Sequence, residues 1–372
     1  MKKFMTAALA LTCVAAMTAC GGSKPAATTA APAATTAAAA ETKAAETKAE
    51  EKPAETQAAA PAADAIVIQV GYENNPGEPL DLGCKAWQEK LDEISDGSIK
   101  IELFPSSQLG SKKDAMDQMQ MGEKVAYITD GSFLGDYGAP EMSILAGPYL
   151  FTEWDQYWKL METDWWHEQE ALLAQSGLHI ITGNWAYGER NLMTTKPVQT
   201  LDDLKGLIVR TPQNTIQMKT FEYLGAAPTG MALGDVYTAT QQGTIEGMEN
   251  PMATLYGQVY YEVAKYLTKT KHLLMPIQFV MSEDVWQSLT PDQQKWLTEA
   301  ANYGGEVESE EQFKSAADYQ KQMEEAGVTV YELSDEEMQK FIDASAAVYN
   351  DPAVTANWRD GLYDYVRDMV IK

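Results

Sequence analysis

The stretch LDDLKGLIVRTPQNTIQMKTFEYLGAAPTGMALGDVYTATQQGTIEGMENP, residues 201–251, decides the fold. It reads as a strand over 207–210, a helix, a short strand over 227–231, a second helix and a third strand over 244–248. Thr211 is expected to cap the first helix, with Pro212 at its first position and Gly225 where the chain leaves it. Asp235 should open the second helix and Gly243 close it. Strands alternating with helices of this length call for right-handed crossovers and a parallel sheet, so the fold class is α/β. In such sheets the ligand crevice lies at the carboxyl ends of the strands. Arg210 stands at the end of the first strand and Asn250 just past the third, so a guanidinium and an amide converge on one cleft.

Outward from this stretch the same grammar continues. Residues 66–70 (IVIQV) read as a buried strand, followed by an amphipathic helix over 79–94 and an alternating strand over 99–103. After FPSSQLGSKKDAMDQMQMGE, a loop and a helix, comes a strand over 125–129, with Asp130 at its carboxyl end facing the crevice by the same rule. Residues 153–175 read as one Trp-rich helix whose aromatic stripe serves packing. A strand over 179–183 is expected to run into a loop carrying Trp185 and Tyr187, two aromatic candidates for the pocket. A Tyr-rich helix should follow Pro251 to about Leu267, and a strand over 273–281 should cross back. Thr290 with Gln293 forms a capping box, with Pro291 at the first position of a long helix reaching about Ala326. Gly304-Gly305 interrupts that helix, as a kink, a hinge element or a point of close packing. A strand over 328–332 and two amphipathic helices finish the chain.

The first sixty residues are of another kind. Lys2 and Lys3 precede an apolar run from Phe4 to Met17, too short to span a bilayer, as in an export signal over 1–19. The run ends in Met17-Thr18-Ala19-Cys20-Gly21, which resembles a bacterial lipobox with Met where Leu is usual. Cys20 is therefore the expected lipidation site, and multiple acyl chains there would anchor the protein stably. Residues 20–63 are rich in Ala, Thr, Pro, Glu and Lys with no large apolar residue. Such a segment cannot offset chain entropy by burial and reads as a tether of roughly 35 Å mean reach.

The run LDDLKGLIVRTP, then GDVYTATQQGTIEGMENP and QVYYEVAKYLTKTKH, resembles the substrate-binding proteins of TRAP (tripartite ATP-independent periplasmic) transporters, DctP-type. The likeness extends from about Ile66 to Ala301. It implies a two-lobed periplasmic-binding-protein-like fold with a hinge and a long helix spanning both lobes. Lobe I would comprise 64–187 plus about 276–315, and lobe II 188–275 plus about 316–372. It also implies that Arg210 clamps a ligand carboxylate, that Arg190 is the second basic contact and that Asn250 hydrogen-bonds the ligand. Gln213, where some relatives carry Asn, and Tyr149, in a Pro-Phe/Tyr segment, join the candidates, as do Asn75 and Leu233. Leu233 stands where relatives that bind sugar acids have Phe. Ser111-Lys112 stand where relatives often carry acidic residues. The implied partners are a small organic acid, the two membrane permease subunits and, through Cys20, the bilayer. The implied location is extracytoplasmic, on the outer face of a single-membrane bacterium or in a periplasm.

Composition narrows the alternatives. The net charge is -26 over 372 residues, and residues 1–63 hold six Lys against five Glu, so the excess negative charge sits on the remainder. With no basic stripe, nucleic acid is excluded as a partner. Surface charge is screened beyond about 8 Å at physiological salt, so recessed arginines can dominate locally. Cys84 is the one Cys beyond the leader region and has no partner for an internal disulfide; the three His show no metal-ligand spacing. There is no phosphate loop, nucleophile elbow or HExxH helix. The reading is therefore a monomeric binding protein without catalytic residues, metal or cofactor. The other reading is a surface sensor that delivers ligand to a receptor kinase.

Overall fold

The computed structural model describes residues 65–371. The export signal, Cys20 and the tether lie outside the described residues.

Nine strands form one sheet: β1 (Ile66–Gly71), β2 (Ile99–Phe104), β3 (Val125–Thr129), β4 (Leu178–Thr194), β5 (Ile208–Thr211), β6 (Ala227–Gly230), β7 (Gly247–Asn250), β8 (Tyr266–Ser282) and β9 (Thr329–Glu332). Their order is β2-β1-β3-β8-β4-β7-β5-β6, with β9 beside β8. The sheet falls into two parallel halves. In the first, β1 pairs in parallel with β2 and β3; in the second, β5 pairs in parallel with β6 and β7. The 17-residue strands β4 and β8 run antiparallel to each other through both halves, from Leu178↔Ser282 to Thr194↔Tyr266. Their pairing shifts register at four places between Ile180 and Leu192. Bulges of this kind bend and twist a strand without ending it, which lets one pair of strands serve two half-sheets.

The long strands correct two expectations. Trp185 and Tyr187 lie within β4, not in a loop. The Tyr-rich helix stops at Gly257, Val259 turns left-handed at φ 51°, and Tyr266 already opens β8. β-branched and aromatic residues between 266 and 282 suit a strand whose two edges are both occupied. The segment 153–175 is two helices, Trp154–Met161 and Asp164–Gln175, because Thr163 caps the second by accepting from the Trp166 amide. The first helix of the deciding stretch starts at Thr215, capped by the Asn214 side chain, while Thr211 ends β5. The third strand sits three residues later than expected, so Asn250 is its last residue.

Alternation along β4 builds the core of the second half. Met193 packs into one cluster with Val236, Met248 and Leu267, and Leu192 packs on the other face with Val209, Phe221 and Phe341. The larger cluster of the first half contains Ile68, Trp87, Trp185 and Phe279. The 35-residue helix Pro291–Glu325 begins with the expected capping box and packs against helix Pro79–Ile94, strand β4 and helix Met252–Gly257, so it spans both halves. Gly304 and Gly305 do not interrupt it. A Cβ at Gly304 would stand 2.7 Å from the Gly83 carbonyl and 2.9 Å from Trp87 Cβ, and one at Gly305 2.8 Å from Trp185. The pair is there for close packing.

Candidate ligand-binding site

The carboxyl ends of β1, β3, β5 and β7 and the middle of β4 and β8 meet around one pocket of about 560 Å³ of non-atom space, part of it open to solvent. Seven residues singled out from the sequence line it: Asp130, Tyr187, Arg190, Arg210, Gln213, Leu233 and Asn250.

The two arginines, both almost completely buried, are in different electrostatic states. Arg190, on β4, donates from Nη2 to Glu249 Oε1 at 2.7 Å and to the Glu249 carbonyl at 2.8 Å, and from Nε to Glu249 Oε2. Glu249 also accepts from or faces His272 Nε2 at 3.1 Å. Burial alone would push the Glu249 carboxyl up, but the Arg190 charge and the His272 and Arg190 hydrogen bonds outweigh it and hold it at about 2. Arg190 is thus a neutralised cation. Arg210, at the end of β5, makes no ion pair among the described residues. Its Nε and Nη2 both donate to the Met231 carbonyl, at 2.9 and 2.6 Å. Burial pushes the Arg210 guanidinium below its ordinary pKa, the reverse of Arg190. A buried charge with only a carbonyl partner is costly.

Asn250 adds a second open donor: its Nδ2 is buried and has no hydrogen-bond partner among the described residues. Such groups in a folded protein call for a ligand, a water or an ion. The facing wall is polar. Asp130 accepts from Lys112 Nζ at 2.8 Å and from the Ser132 amide at 3.1 Å; burial opposes its ionisation, and Lys112 and Ser132 overcome that. Lys112 Nζ also lies 3.8 Å from Glu73 and 4.8 Å from the Phe133 ring centroid. The Tyr187 hydroxyl accepts from Thr254 Oγ1 at 3.0 Å and from Asn74 Nδ2 at 3.2 Å. This ties the loop after β1 to helix Met252–Gly257.

Three candidates stand elsewhere. Trp185 is fully buried, edge-on to Phe279 at 4.8 Å and under the glycines of the long helix. The register shift between Ala186 and Gly188 breaks the alternation that would otherwise put it on one face of β4 with Tyr187, which lines the pocket. Tyr149 packs against the cluster that contains Leu192, Val209 and Phe341, and its hydroxyl donates to the Thr270 carbonyl at 3.0 Å. Asn75 is spent on the Gly257 carbonyl at 3.0 Å and on Ser106, whereas its neighbour Asn74 lines the pocket. Glu73 and Asn74, which the sequence reading passed over, follow β1 as Asp130 follows β3; the switch-point rule applied to β1 would have found them. Met275 and Ile277 enter from β8 and carry no local signal.

A sheet in two halves joined by two continuous strands, with a buried cation at the ends of the strands, defines a two-lobed solute-binding protein. The chain belongs to the bacterial extracellular solute-binding proteins, family 7 (DctP), whose profile matches residues 70–354. A crystal structure of a TRAP periplasmic solute-binding protein from Ochrobacterium anthropi with bound L-fuconate is 38% identical at a TM-score of 0.79, covering 82% of this chain and 99% of that one. One from Actinobacillus succinogenes with bound L-galactonate is 33% identical at a TM-score of 0.78, with the same coverage of 82% and 99%. The 2,3-diketo-L-gulonate-binding periplasmic protein YiaO of Escherichia coli is 30% identical over 282 residues, 74% of this chain and 84% of its own length.

Proposed function

We propose that this chain is the extracytoplasmic receptor of a TRAP transporter, capturing an organic acid through its carboxylate and handing it to the membrane permease. The observation that carries this reading is Arg210: a buried guanidinium that lines the pocket and has no ion-pair partner among the described residues. Its planar fork matches a carboxylate with two parallel hydrogen bonds. Asn250 supplies a further donor, and Arg190, held by Glu249, fixes the wall beside them. Among the described residues no group of His, Cys, Asp and Glu is arranged to hold a metal ion. Relatives crystallised with sugar acids support the ligand class.

The pocket draws its lining from both halves of the sheet. A ligand that touches both stabilises the closed arrangement over an open one, and closure is then a shift of population that the permease can read. The lobes divide near Tyr187–Gly188 and near Pro276, where β4 and β8 pass from one half to the other. Attachment through acylated Cys20 and the tether completes the proposal; mass spectrometry of Cys20 in the membrane fraction checks that part. The function is tested by a thermal-shift screen of organic acids on the purified protein, followed by calorimetry. A ligand that raises the melting temperature and binds with one-to-one stoichiometry is expected. A screen in which no organic acid shifts the transition rejects the reading.

A further inference from the structure

We infer that the pocket is built for a monoacid bearing hydroxyl groups, an aldonate or uronate, and that Glu73 excludes diacids. The inference rests on the organic-acid reading above and narrows it. It comes from the charges that line the pocket and from which of them already have partners. Arg190 is neutralised by Glu249. Lys112 sits between two carboxylates, 2.8 Å from Asp130 and 3.8 Å from Glu73. Asp130 is fully engaged, by Lys112 on one oxygen and by the Ser132 amide and hydroxyl on the other. Lys113 is exposed at the rim, where solvent screens it.

Two groups are left open. Arg210 is a cation with no ion-pair partner among the described residues, and the Glu73 carboxylate accepts no hydrogen bond from any of them, its one ion-pair contact being the shared Lys112 at 3.8 Å. They belong to different walls, Glu73 after β1 and Arg210 at the end of β5, and both line the pocket. One wall therefore asks for a single negative charge. The other offers an acceptor to hydroxyl donors. A carboxylate accepts hydrogen bonds and has none to give, so hydroxyls satisfy Glu73 and a second carboxylate does not. A diacid anchored on Arg210 would bring its other carboxylate against Glu73 and Asp130 with one shared ammonium between them. Like charges brought together in a desolvated site repel strongly, and rejection by a mismatched polar site is correspondingly steep.

The test is calorimetry with pairs that differ only in the second carboxylate. L-Galactonate, L-fuconate and D-glucuronate are compared with galactarate, D-glucarate, succinate and L-malate, on the wild type and on Glu73→Gln. At least one monoacid is expected to bind about 100-fold or more tightly than every diacid. Glu73→Gln is expected to shrink that ratio about tenfold or more by admitting the diacid. A diacid that binds the wild type as tightly as the monoacids, or a ratio unmoved in Glu73→Gln, overturns the inference and leaves the organic-acid reading standing. If no acid of either kind binds, the reading it rests on falls with it.

Discussion

Arg190 and Glu249, on neighbouring strands and 59 residues apart in sequence, form a buried ion pair with the Arg190 Nη2 to Glu249 Oε1 distance at 2.7 Å. The pair settles which arginine is available. Both guanidiniums line one pocket, but Arg190 has its anion inside the protein and Arg210 has none.

Arg210→Met should reduce ligand affinity about 10- to 100-fold or more, since each charge-assisted hydrogen bond contributes roughly 1.5–3 kcal/mol. The unliganded protein should melt at the same temperature or higher, because the variant removes a buried charge without a counter-ion. Calorimetry and differential scanning on the same preparation check both halves. A large fall in apo stability would make Arg210 a structural residue.

Glu249→Gln should act the other way, destabilising by about 3–5 kcal/mol at neutral pH because Arg190 is left buried and uncompensated. The pH dependence follows from the carboxyl being held at about 2, below the ordinary 4.5. A depressed pKa means stability that is present above 4.5 and lost as pH falls through about 2. Urea titrations between pH 6 and pH 2.5 should show this loss in the wild type and its absence in the variant.

Glu78 titrates in the opposite sense. It is buried beside Asn74 and accepts from the Asn75 amide at 2.8 Å and from Gln258 at 3.3 Å. Burial raises its pKa from 4.5 to about 7, against the pull of those hydrogen bonds. The folded protein then binds the extra proton between these limits, so the contribution of Glu78 to stability is greatest below about 4.5 and is lost as pH rises through about 7. Glu78→Gln should be more stable than the wild type at pH 8.5 by roughly 1–3 kcal/mol and close to it at pH 4.5. Melting temperatures at the two pH values decide it.

Gly304→Ala should destabilise despite the better helix propensity of Ala. The gain of about 1 kcal/mol in the helix is outweighed by overpacking against Gly83 and Trp87, typically 1–3 kcal/mol. Ligand affinity should be unchanged. A variant with unaltered stability but altered affinity would instead give the glycine pair a part in lobe movement.

The sequence by itself determined most of the elements and named seven of the residues that line the pocket. Hydrophobic period, turn glycines and the Thr290–Gln293 box are local signals, and they located helix Pro79–Ile94, helix Pro291–Glu325 and the parallel unit around β5. The rule that ligands sit at strand ends then picked Arg210, Asn250 and Asp130. Local signals could not tell that β4 runs through Trp185, since a bulged strand supported on both edges looks like a strand and a loop. Nor could they show that Tyr266 begins a strand, because its partners at Thr194 and Thr329 are remote. The tertiary structure alone decided the charge state of the pocket. Whether an arginine is spent or free depends on which carboxylate the fold sets within a few ångströms of it, and pairings such as Arg190 with Glu249 are made across the sheet, where chain order carries no record of distance.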